Sequence, residues 1–485
     1  MTHNYFLKCP VCGTVTRMRT PVGYVPKTPV RIHCGKCSTL LSGEFIVDNN
    51  NVEIKFVPLN CEEVLKQSYD YFGEASGEML CNKLLTYHAE GDEIHLPPMG
   101  RVSPVFDFMS SIPENARTRF INYACYCIDL AENWDKNRIK YDLYLNKKYD
   151  LLFEKFPEDL RDLLCEDNLD LGALQFAFRS MVYDLGGFLS ENDLVKLLSE
   201  VNHHLSHMDT DALRLFLDEL RDNNRLQLTQ KKLFHIAYEF VAISANLIPA
   251  IGVLYYSSPN SIDKEHLGIS TCSFEEIKNF YQDTFESLVD GCDIILGLDN
   301  IENRGSYNSF STNISIENFR KQRKGNRVQY LKGQEFFEKK FDLPTKSSSL
   351  RNAIGHSDYE YDGVTQEIRY KEKEESDTIC TTYLVDVALE CCKMMRSTLM
   401  LAFVVYDLMR YDMRDKHESI PLHPIMYKNV KTQSFCPCGS KKKYKYCCKN
   451  IIDQQAYSRD IFDYPMRAEF QGPSIEEWIK KFKRT

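Results

Sequence analysis

Leu350-Arg351-Asn352-Ala353-Ile354-Gly355-His356-Ser357-Asp358, preceded by Ser347-Ser348-Ser349, sets an Arg and a His five positions apart on a stretch that reads as a short helix. The serine run supplies N-caps, so the helix is predicted to begin near Ser347. At 100° per residue Asn352 and His356 share a face, and Arg351 lies one step round and reaches with its length. Gly355 would let a ligand backbone come close. The plain alternative is a helix-end Arg paired with Asp358 or Glu360, with His356 an ordinary surface residue. Arg410 and His417 form a similar pair without the Asn, where a long helix runs out into a polar linker, and are set aside.

These residue types suit RNA cleavage without a metal. An imidazole titrates near neutral pH, so His356 would take the proton of a ribose 2′-hydroxyl. The planar fork of Arg351 would hold the charge developing on the phosphate, and Asn352 would orient either partner.

Outward from this stretch, a helix is predicted from Phe274 to Ile301, with an apolar stripe through Ile277, Phe280, Phe285, Leu288 and Ile295 and with Asp283, Glu286 and Asp299 along it. One of these acids is a candidate to hold Arg351, and Asn300 and Arg304 at the helix end are secondary candidates. Arg320, Lys321, Arg323, Lys324, Arg327 and Lys332 fall in a run without acids. They are expected to contact RNA phosphates, with Tyr330 to stack on a base. Helix Val328 to Phe341 stops at Pro344. Asp362-Gly363 reads as a hairpin turn, giving either a lid over the site or a bridge between helices. Thr378 to Tyr411 reads as a long central helix.

Arg351-Asn352, three residues and then His356, set among Tyr281 to Glu286, Leu298 to Ile301 and the long apolar helix, resembles the signature of the HEPN superfamily across roughly residues 270 to 412. The resemblance implies a mainly α bundle, a homodimer with two motifs face to face, and cleavage leaving a cyclic phosphate and a 5′-hydroxyl with no catalytic cofactor.

The 485 residues allow two to four domains. A net charge of −9 and a pI of about 5.8 argue against wrapping nucleic acid along the whole surface. The N-terminus runs into a cysteine pair without an apolar segment, so no signal peptide is expected. Phe240 to Tyr256, broken by Pro249 and Gly252, is expected to be a buried helix rather than a membrane span. Eight of the 18 cysteines fall into two metal-like clusters and the rest scatter, which fits a reducing cytoplasm.

Cys9, Cys12, Cys34 and Cys37 form two pairs 21 residues apart, which would close a tetrahedral thiolate shell around structural zinc, with glycines after Cys12 and Cys34 permitting tight turns. The strands that follow make residues 1–59 similar to a zinc ribbon. Residues 60–113 read as helices, Glu62 to Phe72 and Glu78 to His88, and a Pro-rich strap. Residues 114–256 read as a helical bundle of unknown role. His203, His204 and His207 with Asp209 are weighed there as metal ligands and set aside for lack of a fourth. Cys125 and Cys127 read as packing residues.

After a linker at 413–434, Cys436, Cys438, Cys447 and Cys448 form the second shell at 435–450. With Pro437, Gly439-Ser440 and Lys442-Lys443-Tyr444 this stretch resembles the SEC-C motif, which implies docking to a protein or ribosome. Residues 451–485 form a tail with an amphipathic helix, Ile475 to Phe482. The expected fold is mainly α, a set of helical bundles with a HEPN-like domain flanked by two zinc modules. The expected function is a metal-independent endoribonuclease, with the role of toxin or anti-phage effector implied by the resemblance. The alternatives are a zinc-braced RNA- or protein-binding scaffold, or an adaptor that brings clients to a larger machine.

Overall fold

Two hairpins carry the first cysteine pairs. β1 (Thr2–Lys8) runs antiparallel to β2 (Val15–Pro21), and β3 (Lys27–His33) runs antiparallel to β4 (Leu40–Asp48), which pairs in turn with β5 (Glu53–Pro58). Val30 and Ile32 on β3 point into a small core with Tyr5, Leu7, Met18, Leu41, Phe45 and Phe56. Period-2 alternation puts Arg31 and His33 on the other face. The computed structural model describes residues 2–21, 23, 25–48, 53–65, 68–82, 85–86, 110–154, 173–174, 177, 185, 204–205, 208–256, 262–331, 348–371, 378–417, 430–436 and 442–449. The strap at 87–109, most of 155–203, the helix expected at 332–341, the linker at 418–429, Cys438 and the tail lie outside the described residues.

The helices expected at 62–72 and 78–88 do not form over the described residues. β6 (Glu62–Val64) pairs with β1, β7 (Tyr71–Glu74) lies parallel to β2, and β9 (Leu85–Thr86) pairs with β7, giving the sheet order β6-β1-β2-β7-β9. The reason is burial: Phe72 through Cys81 are buried without a break, whereas a surface helix leaves one face wet. Gly77 passes so close to β3 that a Cβ would lie 2.5 Å from Thr28 Oγ1. β8 (Cys81–Asn82) then pairs with β10 (Leu267–Gly268), tying the β-rich N-terminal region to the helical body.

The helical body is built from α1 (Glu114–Leu145), α2 (Tyr149–Phe153), α3 (Thr210–Asp222), α4 (Arg225–Ser244), α5 (Ile248–Leu254), α6 (Phe274–Arg304), α7 (Ile316–Lys321), α8 (Lys324–Arg327), α9 (Ser348–His356) and α10 (Leu384–His417). The described chain is therefore mainly helical with a small β-rich N-terminal region. α6 starts on a capping box, Ser273 with Glu276, and stops where Gly305 turns left-handed at φ +74. α4 packs against α1, α6 and α10, so segments on both sides of residue 262 contribute to one apolar cluster. Arg225–Leu254 is long and apolar enough to cross a membrane, but 67% of its most apolar stretch is buried inside the protein. α10 is the central member, buried on every face from Leu399 to Tyr411. Arg410 is 2% exposed and lies 3.8 Å from Asp407, an interior position that keeps it away from any surface site.

The Asp362-Gly363 turn forms as expected, between β11 (Tyr359–Asp362) and β12 (Glu367–Lys371), with β13 (Ile379–Tyr383) completing a three-stranded sheet. Its loop is four residues long. Asp362 Oδ1 accepts from the amides of Val364 and Thr365, and Gln366, at φ +57, takes the left-handed position.

Candidate metal centres and the Arg351–His356 helix

The sulfurs of Cys9, Cys12, Cys34 and Cys37 all lie within 4.8 Å of one another, with Cys9–Cys37 at 3.6 Å and Cys12–Cys34 at 3.5 Å. A tetrahedral zinc with bonds of about 2.3 Å separates its sulfurs by roughly 3.8 Å, whereas a disulfide needs about 2.05 Å. The set therefore fits a metal. Each pair sits in the same tight turn: the amide of Gly13 donates to Cys9 O at 3.0 Å, and that of Ser38 donates to Cys34 O at 2.9 Å. Gly13 holds φ +74 as expected, but in the second turn Ser38, not Gly35, takes the left-handed position at φ +56. Gly35 is small for another reason, since a Cβ there would lie 2.2 Å from the Tyr71 ring. As free thiols the four are unequal. Hydrogen bonds from Thr14, side chain first, pull Cys12 down to about 6, and burial pushes Cys34 up to about 12. In the second cluster the sulfurs of Cys436, Cys447 and Cys448 lie within 4.8 Å of one another.

The second turn of the ribbon faces inward. His33 Nδ1 bonds Ser38 O at 2.9 Å, its ring meets Tyr361 edge-on at 5.9 Å, and a Cβ on Gly363 would strike it. Arg31 pairs with Glu276 at 2.8 Å, and its amide donates to Ser270 O at 2.7 Å. Gln366 closes the seam by exchanging two hydrogen bonds with the Ile269 backbone, at 2.9 and 2.7 Å. The turn of the hairpin thus docks on the β-rich N-terminal region, while its strand β12 packs against the Arg351 helix.

α9 is anchored by Leu350, Ala353 and Ile354, all under 8% exposed and spaced i, i+3, i+4. Asn352, Gly355 and His356 take the opposite, exposed face, as the helical spacing predicts. The helix ends in a Schellman turn, with Ser357 N to Ile354 O and Asp358 N to Ala353 O, and Ser357 supplies the left-handed residue at φ +59. Arg351 turns toward α6, its guanidinium 5.7 Å from the Phe285 ring centroid and its Nη1 3.5 Å from Glu286 Oε1. Glu286, not Asp358 or Glu360, is therefore its acidic neighbour. Arg351 Nε is buried with no hydrogen-bond partner among the described residues. A Cβ on Gly355 would lie 3.3 Å from Gln282 Nε2, so that glycine packs beside α6.

The basic run is largely consumed within the chain. Arg320 pairs with Asp293, Nε to Oδ2 at 2.6 Å, and with Glu219; Lys321 pairs with Glu317 at 2.6 Å. Lys324 pairs with Glu286 at 3.0 Å and Asp290 at 3.4 Å, and Arg327 with Asp290 at 3.1 Å. Arg323 is exposed. Tyr330 accepts a bond from Gln322 and packs edge-on against Phe319, which uses the ring expected to stack on a base. Asn300 and Arg304 likewise bond each other at 2.7 Å and brace the end of α6 with Asp299. His204 pairs with Glu302 and Asp209 caps α3, and neither belongs to a metal-ligand cluster among the described residues.

Two groups near Asp283 escaped sequence reading because they lie on α4, outside the expected domain. His235 and Glu239 pair at 3.2 Å. Burial raises Asp283, Glu286 raises it further, and His235 opposes both. Their i, i+4 spacing on α4 was the available signal.

Asp290 gathers three cations. Burial pushes its carboxyl up, but Lys232, Lys324 and Arg327 outweigh this and hold it below the ordinary 3.8. A carboxyl lowered by folding stabilises fully above its unfolded value, and that contribution is lost as pH falls through the folded one. Asp290→Asn is expected to flatten the acid limb of the stability curve below about pH 4. Denaturant midpoints from pH 2 to 6 check this, and parallel curves for the two proteins would refute it.

Comparison of the chain with protein-family models, with curated proteins and with solved structures finds no match.

Proposed function

We propose that the exposed face of α9 is a metal-independent ribonuclease site, with His356 as general base on a ribose 2′-hydroxyl and Arg351 as the phosphate-binding group. The observation that carries this reading is the state of Arg351. Its guanidinium is held at one end by Glu286 and the Phe285 ring, while its buried Nε lacks an acceptor beside exposed Asn352 and His356. Arg351 keeps 18% of its side-chain surface exposed and Glu286 comes no nearer to Nη1 than 3.5 Å, so a phosphate oxygen would be taken by the outer guanidinium nitrogens, with the buried Nε fixed behind them. In the reaction the 2′-oxygen attacks phosphorus as His356 takes its proton, the bond to the 5′-oxygen breaks, and that oxygen leaves with a proton from a general acid. The products are a 2′,3′-cyclic phosphate and a 5′-hydroxyl. The homodimer implied by the HEPN resemblance would set a second His opposite the first and supply that acid.

In this reading both cysteine clusters hold zinc as structural braces, and the site acts in a toxin or anti-phage effector. A second reading, a zinc-braced scaffold without catalysis, is favoured by the intrachain ion pairs of Arg320, Lys321, Lys324 and Arg327.

The test is cleavage of total RNA in magnesium-free buffer, without the strong chelators that would strip thiolate sites. His356→Ala is expected to lose about 10²- to 10⁴-fold in rate, the usual contribution of a general base. Arg351→Ala should lose activity as well, and only active protein should leave cyclic-phosphate ends. Equal RNA loss with wild type and both variants, at matched metal content, would remove α9 from the chemistry.

A further inference from the structure

We propose that the outer face of the C-terminal cysteine module binds single-stranded RNA, stacking bases on Phe435 and Tyr446 while its lysines neutralise the backbone. This deepens the ribonuclease reading by naming how the substrate strand is held, and its test is separable from cleavage.

The module has two unlike faces. Phe435 forms an antiparallel bridge with Lys443, flanked by the bonds Cys436 N to Lys442 O at 2.8 Å and Tyr444 N to Ser434 O at 2.9 Å. Alternation across that bridge turns Cys436 and Tyr444 inward, 4% and 6% exposed, where they join the apolar cluster of the helical body. The same alternation turns Phe435 outward at 75% exposure, beside Lys443. One turn on, the amide of Tyr446 donates to Lys443 O at 2.9 Å, and its ring is 70% exposed with Lys445 Nζ 4.4 Å from the centroid. Two large aromatic rings thus stand exposed, Phe435 beside Lys443 and Tyr446 beside Lys445, on a module already fixed from behind.

Charge narrows the partner. Residues 430–449 contain Lys431, Lys441, Lys442, Lys443, Lys445 and Lys449 and no acid, in a chain whose net charge is −9. The segment stays positive even when four thiolates and a divalent cation are added. A polyanion fits this face. Single-stranded nucleic acid fits better than an acidic peptide because each ring offers a π-face that only unpaired bases can meet, whereas acidic side chains need no exposed aromatics. A lipid surface fits poorly, since Phe435 and Tyr446 are the only large exposed apolar side chains among the described residues of 430–449.

The experiment uses full-length, metal-loaded His356→Ala protein, which holds RNA without cutting it, and fluorescence anisotropy of a labelled 12-nucleotide oligouridylate. Phe435→Ala with Tyr446→Ala is expected to weaken binding at least tenfold, with the salt dependence unchanged. Lys443→Gln with Lys445→Gln is expected to lower the slope of log affinity against log salt by about 1.4, or 0.7 per lost phosphate contact. Duplex of the same length should bind more weakly than the single strand. Phe435→Leu keeps bulk without a ring and should behave like the alanine variant, while unchanged metal content reports an intact module. No binding of oligouridylate, unchanged affinity in the aromatic variants, or equal binding of duplex would overturn the proposal. Preferential capture of polyglutamate would assign the face to an acidic protein instead. Loss of cleavage in the wild type bears on α9 and leaves this result standing.

Discussion

Replacing Cys34 with serine is expected to remove one of the two metal equivalents proposed for the chain and to unfold the β-rich N-terminal region while the helical body persists. The thiol is fully buried at the centre of the second turn, and a closed shell of four thiolates has no spare ligand to take its place. The ribbon's own core is small, little more than ten side chains around Phe45 and Phe56. For modules of this size metal binding supplies most of the folding free energy, about 10 to 16 kcal/mol for structural zinc near pH 7. The damage should not stop at the ribbon. His33, next to Cys34, supports Gly363 and Tyr361 of the hairpin that begins three residues after His356, and Arg31 holds Glu276 in the first turn of α6. Hydrogen exchange is therefore expected to rise sharply over 27–48 and measurably over 359–371, with the proposed RNA cleavage falling alongside. Cys125→Ser, at a buried thiol outside both clusters, is the control that should keep both equivalents. Two equivalents retained by Cys34→Ser would end the brace argument. Cys447→Ser should lose the other equivalent and leave the ribbon unchanged.

What was legible in the chain follows how far apart the interacting residues are. The two tight turns that carry Cys9–Cys12 and Cys34–Cys37, the short helix at 348–356, its exposed Asn352–His356 face and the hairpin at Asp362 all depend on neighbours within a few positions, and each forms. Residues 62–86 misled because their apolar spacing also suits a helix. What decides them is pairing with β1 and β2, some 50 residues upstream, which no local pattern records. The ion pairs of the basic run at 320–327 were hidden for the same reason. Lys321 meets Glu317 one helical turn upstream, but the acids that hold Arg320, Lys324 and Arg327 stand on α3 and α6, from Glu219 to Asp293, and only the fold brings them together. The hairpin was seen but not its neighbour, because contact with His33 spans more than 300 positions.

Asp293→Asn provides the sharpest test of whether those basic residues belong to the fold or to RNA. The carboxylate is fully buried on α6, with Arg225 2.8 Å from Oδ1 and Arg320 2.6 Å from Oδ2. One anion thereby holds α4 to the α7–α8 segment across the face of α6. Neutralising it leaves two guanidinium groups facing each other with a single amide between them, and removing one partner from a buried pair of this kind costs about 3 to 5 kcal/mol. The denaturant midpoint is expected to fall accordingly at unchanged slope. Arg320→Ala should produce a loss of similar size, since it strands Asp293 and Glu219 together. Arg323→Ala, at an exposed side chain, should stay within about 0.5 kcal/mol of wild type. If Arg320 instead served RNA, the pattern would reverse: Asp293→Asn would release a cation, raise RNA affinity and leave the midpoint in place. The ion-pair geometry requires the first outcome, because a guanidinium already held by two carboxylates has little left to offer a phosphate.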